Sequence, residues 1–130
     1  MMTEPVNLQK TLNSFNELWS PRIVTQFNDY DVRVAKFHGE YVWHSHLDTD
    51  ELFIVVAGRL TIHLRESGVE RSVALQQGEV YVVPRGIEHK PESDAESHIL
   101  MIEPTGTLTV GDTHDKIPDY VDATTGHHVD

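Results

Sequence analysis

Apolar positions in the first twenty residues recur at helical spacing: Leu8, Leu12, Phe15 and Trp19, with Leu18 beside them. This period lines them on one face and predicts a single amphipathic N-terminal helix. Asn7 is placed to cap it and Ser20-Pro21 to end it. From Ile23 onward the period changes to two. Val32-Arg33-Val34-Ala35-Lys36-Phe37 alternates, as does Leu60-Thr61-Ile62-His63-Leu64. The apolar run Leu52-Phe53-Ile54-Val55-Val56 and the short β-branched runs Ser72-Val73-Ala74-Leu75 and Val80-Tyr81-Val82-Val83 also read as strands. His98-Ile99-Leu100-Met101-Ile102 closes the series. Turn signals at Gly58, Gly68, Gly78 and Pro84-Arg85-Gly86 separate them. Many short strands punctuated by Gly or Pro predict an all-β sandwich or barrel rather than βαβ units. Residues 1–22 are then a helix and lead-in, 23–103 the barrel, and 104–130 a polar C-terminal tail of the same domain. That tail is expected to wrap the surface or fray, with His127-His128 in solvent.

A chain of 130 residues can bury one core but not two. Its 21 acidic against 10 basic residues give a net charge of -11. Such a surface repels phosphate backbones and anionic lipid, so neither nucleic acid nor membrane is expected as a partner. Cysteine is absent, which removes disulfides, thiolate metal sites and Cys nucleophiles. The N-terminus has no basic region followed by an apolar run, and no stretch approaches transmembrane length. The expectation is a cytoplasmic protein.

Chemistry concentrates in two blocks, Gly39-x4-His44-x-His46-x4-Glu51-x6-Gly58 and Gly78-x5-Pro84-x-Gly86-x2-His89. His44 and His46 are two apart, so on a strand they share a face. Glu51 heads an apolar strand, and His89 follows a Pro-Arg-Gly turn. Three imidazoles and one carboxylate can enclose a divalent metal such as Fe, Mn, Ni or Zn, the carboxylate favouring the harder ions. They fill four positions of an octahedron and leave two open, whereas a structural zinc site is closed and usually Cys-rich. With nine histidines in the chain, a lone His-x-His would mean little; the register of both blocks is what carries the reading. His38, His63, His98, His114, His127 and His128 read as surface or hydrogen-bonded residues, although His38 and His63 could line a cavity.

Strand parity extends the site. With Glu51 inward, Phe53 and Val55 line the pocket, and Asp50 points away from the metal. For the strand Val80–Val83 periodicity does not choose between Tyr81/Val83 and Val80/Val82; an inward Tyr81 would line the pocket and offer a phenol. Tyr81 and Glu88 are the catalytic candidates, both weak, since a core aromatic and a solvated turn carboxylate read equally well. Trp43 should face away from the metal. Together with exposed sheet edges it predicts a homodimer.

These paired blocks resemble the two motifs of the cupin superfamily, small jelly-roll barrels with a metal site in the mouth. The resemblance covers roughly Val32 to Glu103. Four residues rather than the usual five separate Gly39 from His44, and the Asn that closes the second motif is replaced by Ser93, leaving the local turn open. The compact Trp-His-x-His-x4-Glu form is similar to stand-alone small cupins, many of them labelled mannose-6-phosphate-isomerase-like. The resemblance implies a single-domain cupin jelly-roll β-barrel with His44, His46, Glu51 and His89 as metal ligands. It also implies a small-molecule ligand and, most consistent with an open site, dioxygenase-like chemistry. Two alternatives stay open: a metal-assisted sugar or keto-acid isomerase or epimerase, and a non-enzymatic binding or storage cupin. The isomerase reading lacks an evident phosphate-binding set, since only Arg59, Arg85 and Lys90 lie near the motifs.

Overall fold

Strand follows strand almost without interruption in this computed structural model, which describes residues 4–129. After helix α1 (Leu8–Asn13) come β1 (Arg22–Phe27), β2 (Tyr30–Glu40), β3 (His44–Ser45), β4 (Glu51–Ala57) and β5 (Leu60–Glu66). The series continues with β6 (Val69–Leu75), β7 (Val80–Val83), β8 (Glu88–Pro104), β9 (Thr113–His114) and β10 (His127–His128). The all-β jelly-roll expectation is met, although the sheet is not closed into a complete barrel. Among the described residues no helix is long and apolar enough to cross a membrane.

β8 organises the architecture. Its second half pairs antiparallel with β2 on one side and β4 on the other, while its first half pairs with β5 and β3. The strand therefore serves two layers and must bend between them. Ser93 and Ser97 make that bend: their buried hydroxyls hydrogen-bond to each other at 2.7 Å, and Ser93 Oγ also donates to the Arg59 carbonyl. Where the family's Asn would close the motif, β8 runs on as strand through Ser93 without a turn. Sequence periodicity gave a strand only from His98, because Pro91 and the polar run through Ser97 hide the earlier half.

The N-terminal helix is shorter than its apolar stripe. Asn7 caps it, accepting from Lys10 N at 2.9 Å, but it ends at Asn13. Leu12 and Phe15 pack on Val24 and Val34. Trp19 lies beyond the helix in a left-handed conformation (φ 56°) and joins the main core, stacked on Phe37 and Tyr41. The helical spacing of Trp19 is thus fortuitous; its burial against the barrel fixes it.

The tail does not fray. Val110 and Val121 are core residues, and β10 runs parallel to β1, so His127-His128 is ordered at a sheet edge. The tail also packs on β3. β9 pairs with it, Ser45 Oγ and Thr113 Oγ1 lie 2.5 Å apart, and Asp112 N donates to the Ser45 carbonyl. Gly111 permits this approach: with φ at +70°, a Cβ there would stand 2.3 Å from Ser45 O.

Candidate metal centre

Pairings between distant parts of the chain bring His44, His46, Glu51 and His89 together. β3 is held between β8 and β9, with His44 directly opposite His89. His46 follows β3, and its carbonyl accepts from Gly86 N of the Pro-Arg-Gly turn. Glu51 opens β4 opposite Val83. One ligand atom from each of the four residues lies within 4.8 Å of the others, and all four residues are buried.

The ring orientations are set from behind. His44 Nδ1–H donates to the Val42 carbonyl at 2.8 Å and His89 Nδ1–H to the Ile87 carbonyl at 2.9 Å. A carbonyl only accepts, so each Nδ1 carries the proton and each Nε2 keeps a lone pair for a cation. His46 Nε2 lies 2.7 Å from Glu51 Oε2, yet the contact lacks hydrogen-bond geometry and the buried nitrogen has no partner. An unpaired buried polar atom costs about 1–3 kcal/mol. A cation accepting its lone pair would remove that cost, so the donor set fits a divalent metal.

Electrostatics agree with the geometry. Burial, and then the neighbouring His89, hold the His44 imidazole down to about 3, so it stays neutral. Burial works against charge on His46 as well, but Glu51 outweighs it and raises this imidazole above its ordinary value. Glu51 shows the complementary behaviour: burial favours its neutral form, yet His46 and His89 hold it well below the usual carboxylate range. The centre therefore presents an anionic carboxylate among imidazoles.

Beside the ligands is an apolar chamber with about 20 Å³ of free space, room for one water, walled by Trp19, Phe37, Tyr41, Phe53 and Met101. Phe53 is on its wall as parity predicts. Val55 points inward but belongs to the core rather than to this wall, and Tyr81 takes the inward parity yet lies half-buried along a surface groove with Arg65 and Ile87. Glu88 is ion-paired with Arg65 at 2.8 Å, on the opposite side of β8 from His89. Asp50 turns away from the centre and accepts from Arg85 N. Trp43 also faces away, its ring covered by the Arg65 guanidinium at 4.2 Å and by Lys90. His63 bonds Ser72 and Glu92, and His38 is exposed, so neither lines the chamber.

Two chamber residues escaped the sequence reading. Glu103 is 2% exposed; its Oε1 takes an ion pair from Arg33 at 2.7 Å, while Oε2 has no partner. Arg33, fully buried, also grips Asp31 at 2.9 Å. Burial, reinforced by the nearby Glu51, raises the Glu103 carboxyl well above the usual range. A signal was present, because the alternation that buries Ile99 and Met101 reaches Glu103 next. Tyr41, whose buried hydroxyl likewise has no partner, sits between β2 and β3, where parity gives no answer.

The cupin domain family model matches residues 32–103, the segment that contains both blocks and the chamber strands. The chain belongs to the cupin family. This cupin is 33% identical over 109 residues to the uncharacterised protein YdbB of Bacillus subtilis, covering 84% of this chain and 94% of that protein. A solved cupin-2 domain protein from Shewanella frigidimarina is 45% identical, with a TM-score of 0.72 over 76% of this cupin and 93% of that chain. More distantly, 3-hydroxyanthranilate 3,4-dioxygenase of Xanthomonas euvesicatoria is 24% identical over 106 residues, 79% of this cupin. The match spans 60% of that dioxygenase's length.

Proposed function

We propose that this cupin binds a divalent metal through His44, His46, Glu51 and His89 and performs dioxygenase-like chemistry on a small organic molecule. One observation carries the reading: four buried donors converge with an unpaired His46 Nε2 among them. The distant similarity to 3-hydroxyanthranilate 3,4-dioxygenase supports the reaction class. Bound Fe(II) or Mn(II) would supply the redox chemistry that lets O₂ react with an organic substrate. The chain supplies the rest. Phe37, Phe53 and Met101 keep bulk water from the centre, which strengthens every polar contact inside. Glu103 Oε2, unpaired on the chamber wall, is placed to hold the proton of a substrate hydroxyl, and Arg33 anchors the other oxygen so that the carboxyl cannot swing away.

The test has two stages. Tag-free protein purified without added metal should carry close to one Fe or Mn per chain, and His89→Ala should carry almost none. The loaded protein should then consume O₂ when offered ortho-hydroxylated aromatic acids or amines. Metal retained in full by His89→Ala would refute the ligand set. A stoichiometric metal with no O₂ uptake across such a panel would refute the oxygenase reading.

A further inference from the structure

The chamber is too small for the chemistry proposed for it. Its 20 Å³ admits a water, not an organic ring. Some wall must give way, and the walls are unequal. Phe37, Phe53, Met101 and Glu103 lie within β2, β4 and β8, whose ladders would have to break for them to retreat. Four wall residues lie outside these ladders: Trp19 and Pro21 between α1 and β1, Tyr41 before β3, and Thr109 in the tail.

Three further observations single out the indole. Trp19 also lines a surface hollow of about 320 Å³, together with Leu18, His38, Gly39, Glu40 and Tyr120. Trp19 is therefore the partition between that hollow and the buried chamber. Its backbone is left-handed, a conformation that costs a bulky residue free energy. What holds it is local: the amide donates to Lys36 O at 2.8 Å, Nε1 to His38 O at 3.0 Å, and the ring stacks on Phe37 and Tyr41. The stacked Tyr41 carries a hydroxyl that is buried and without a partner.

We propose that Trp19 is the gate and the size-determining residue of the chamber: a ligand larger than water enters from the Leu18–Tyr120 hollow by displacing the indole, and the Tyr41 hydroxyl binds its polar end. This rests on the metal-chamber reading above. Opening merges hollow and chamber into a space fit for a small ring, and reclosure excludes water.

The chain has two tryptophans, so Trp43→Phe, on the outer surface, leaves Trp19 as the sole reporter. Loaded with Co(II), this protein gives a visible band that reports ligation and an emission that reports the gate; catechol is the ring probe and azide the small one. Catechol should perturb the Co(II) band and, over the same concentrations, red-shift Trp19 emission and raise its quenching by acrylamide several-fold. Adding Trp19→Leu should speed the catechol-induced change by roughly tenfold, the factor about 1.4 kcal/mol of removed gating cost converts to. The azide response should persist in both proteins. The gate is refuted if catechol perturbs the Co(II) band while Trp19 emission and quenching stay unmoved, or if azide reaches the metal and catechol does so in neither protein. Failure to take up Co(II) at all defeats the metal reading itself and the gate with it. If Trp19→Leu does not fold, the emission and quenching of the single-tryptophan protein decide alone.

Discussion

Glu51 stands between His46 Nε2 at 2.7 Å and His89 Nε2 at 3.3 Å, and this crowding governs how the centre responds to pH. His46 in the metal-free protein holds its proton to a pH above the ordinary 6.5, because Glu51 outweighs the burial that opposes its charge. A metal must displace that proton. Affinity should therefore begin to fall while pH is still above 6.5 and should drop about tenfold per pH unit below the raised value. The metal-free fold responds with the opposite sign: the His46 contribution is full below 6.5 and is lost as pH rises through the raised value. The Glu51 contribution is present above 4.5 and is lost as pH falls through its depressed value. Metal titrations between pH 5 and 8 test this, and an affinity flat across that range would contradict a site that competes with the His46 proton. All four candidate ligands were legible in the sequence because residue type and spacing both select them. Tyr41 and Glu103 were not singled out, since a polar residue at a core position looks like any other until its neighbours are known. For Glu103 the β8 alternation was a usable clue; for Tyr41, in the turn before β3, there was none.

At the scale of elements, β3 is the weak member that matters most. It is two residues long and places His44, with His46 just beyond, so its position depends on what flanks it. β8 flanks one side and the tail the other, through Asp112 N to Ser45 O, Asp115 N to Trp43 O, and Leu47 N to Asp112 Oδ2. The tail thus works as a brace for the metal strand, a role its polar composition does not announce. Gly111→Ala should expose the dependence, because its Cβ would meet Ser45 O at 2.3 Å and the new residue would also have to keep φ near +70°. The expected result is a loss of about 1–3 kcal/mol in urea unfolding, together with weakened metal binding. Gly106→Ala is the control. It has a similar positive φ but nothing within 4 Å, so it should lose backbone energy while leaving metal affinity in place. Equal effects of the two on metal binding would show that the tail is not a brace. Strands were legible wherever alternation ran unbroken, as in β2 and β5, or where β-branched residues ran together, as in β7. The helix was overextended because Phe15 and Trp19 satisfy its period while packing on the barrel, a tertiary demand that no local pattern encodes.

The molecule as a whole has a charge of -11, and two copies repel unless they meet where acidic groups are few. The open side of the sheet offers apolar edges with charges of both signs rather than a purely acidic face. β6 pairs only with β5 and β7 only with β4, so both present a free edge, and Val69, Val80 and Val82 are exposed along them. Arg65, Glu66 and Arg71 line the hollow between those edges with Tyr81 and Ile87, and Arg65 is ion-paired with Glu88, giving an apolar patch with charges of both signs on an acidic body. Trp43, covered by Arg65 and Lys90, is less available than its sequence position implied. We propose that a second copy covers the β6–β7 face, since free edges with apolar neighbours are the usual sites of self-association. Light scattering should then give twice the 14.8 kDa chain mass at micromolar concentration. Long-range repulsion is screened beyond about 10 Å at 0.1 M salt, so the dimer should tighten as salt is added. Val80→Lys combined with Val82→Lys should return the monomer with its metal content unchanged, because both side chains point away from the chamber. A wild-type monomer across that salt range would refute the interface, and a dimer that survives both lysines would move it to another face.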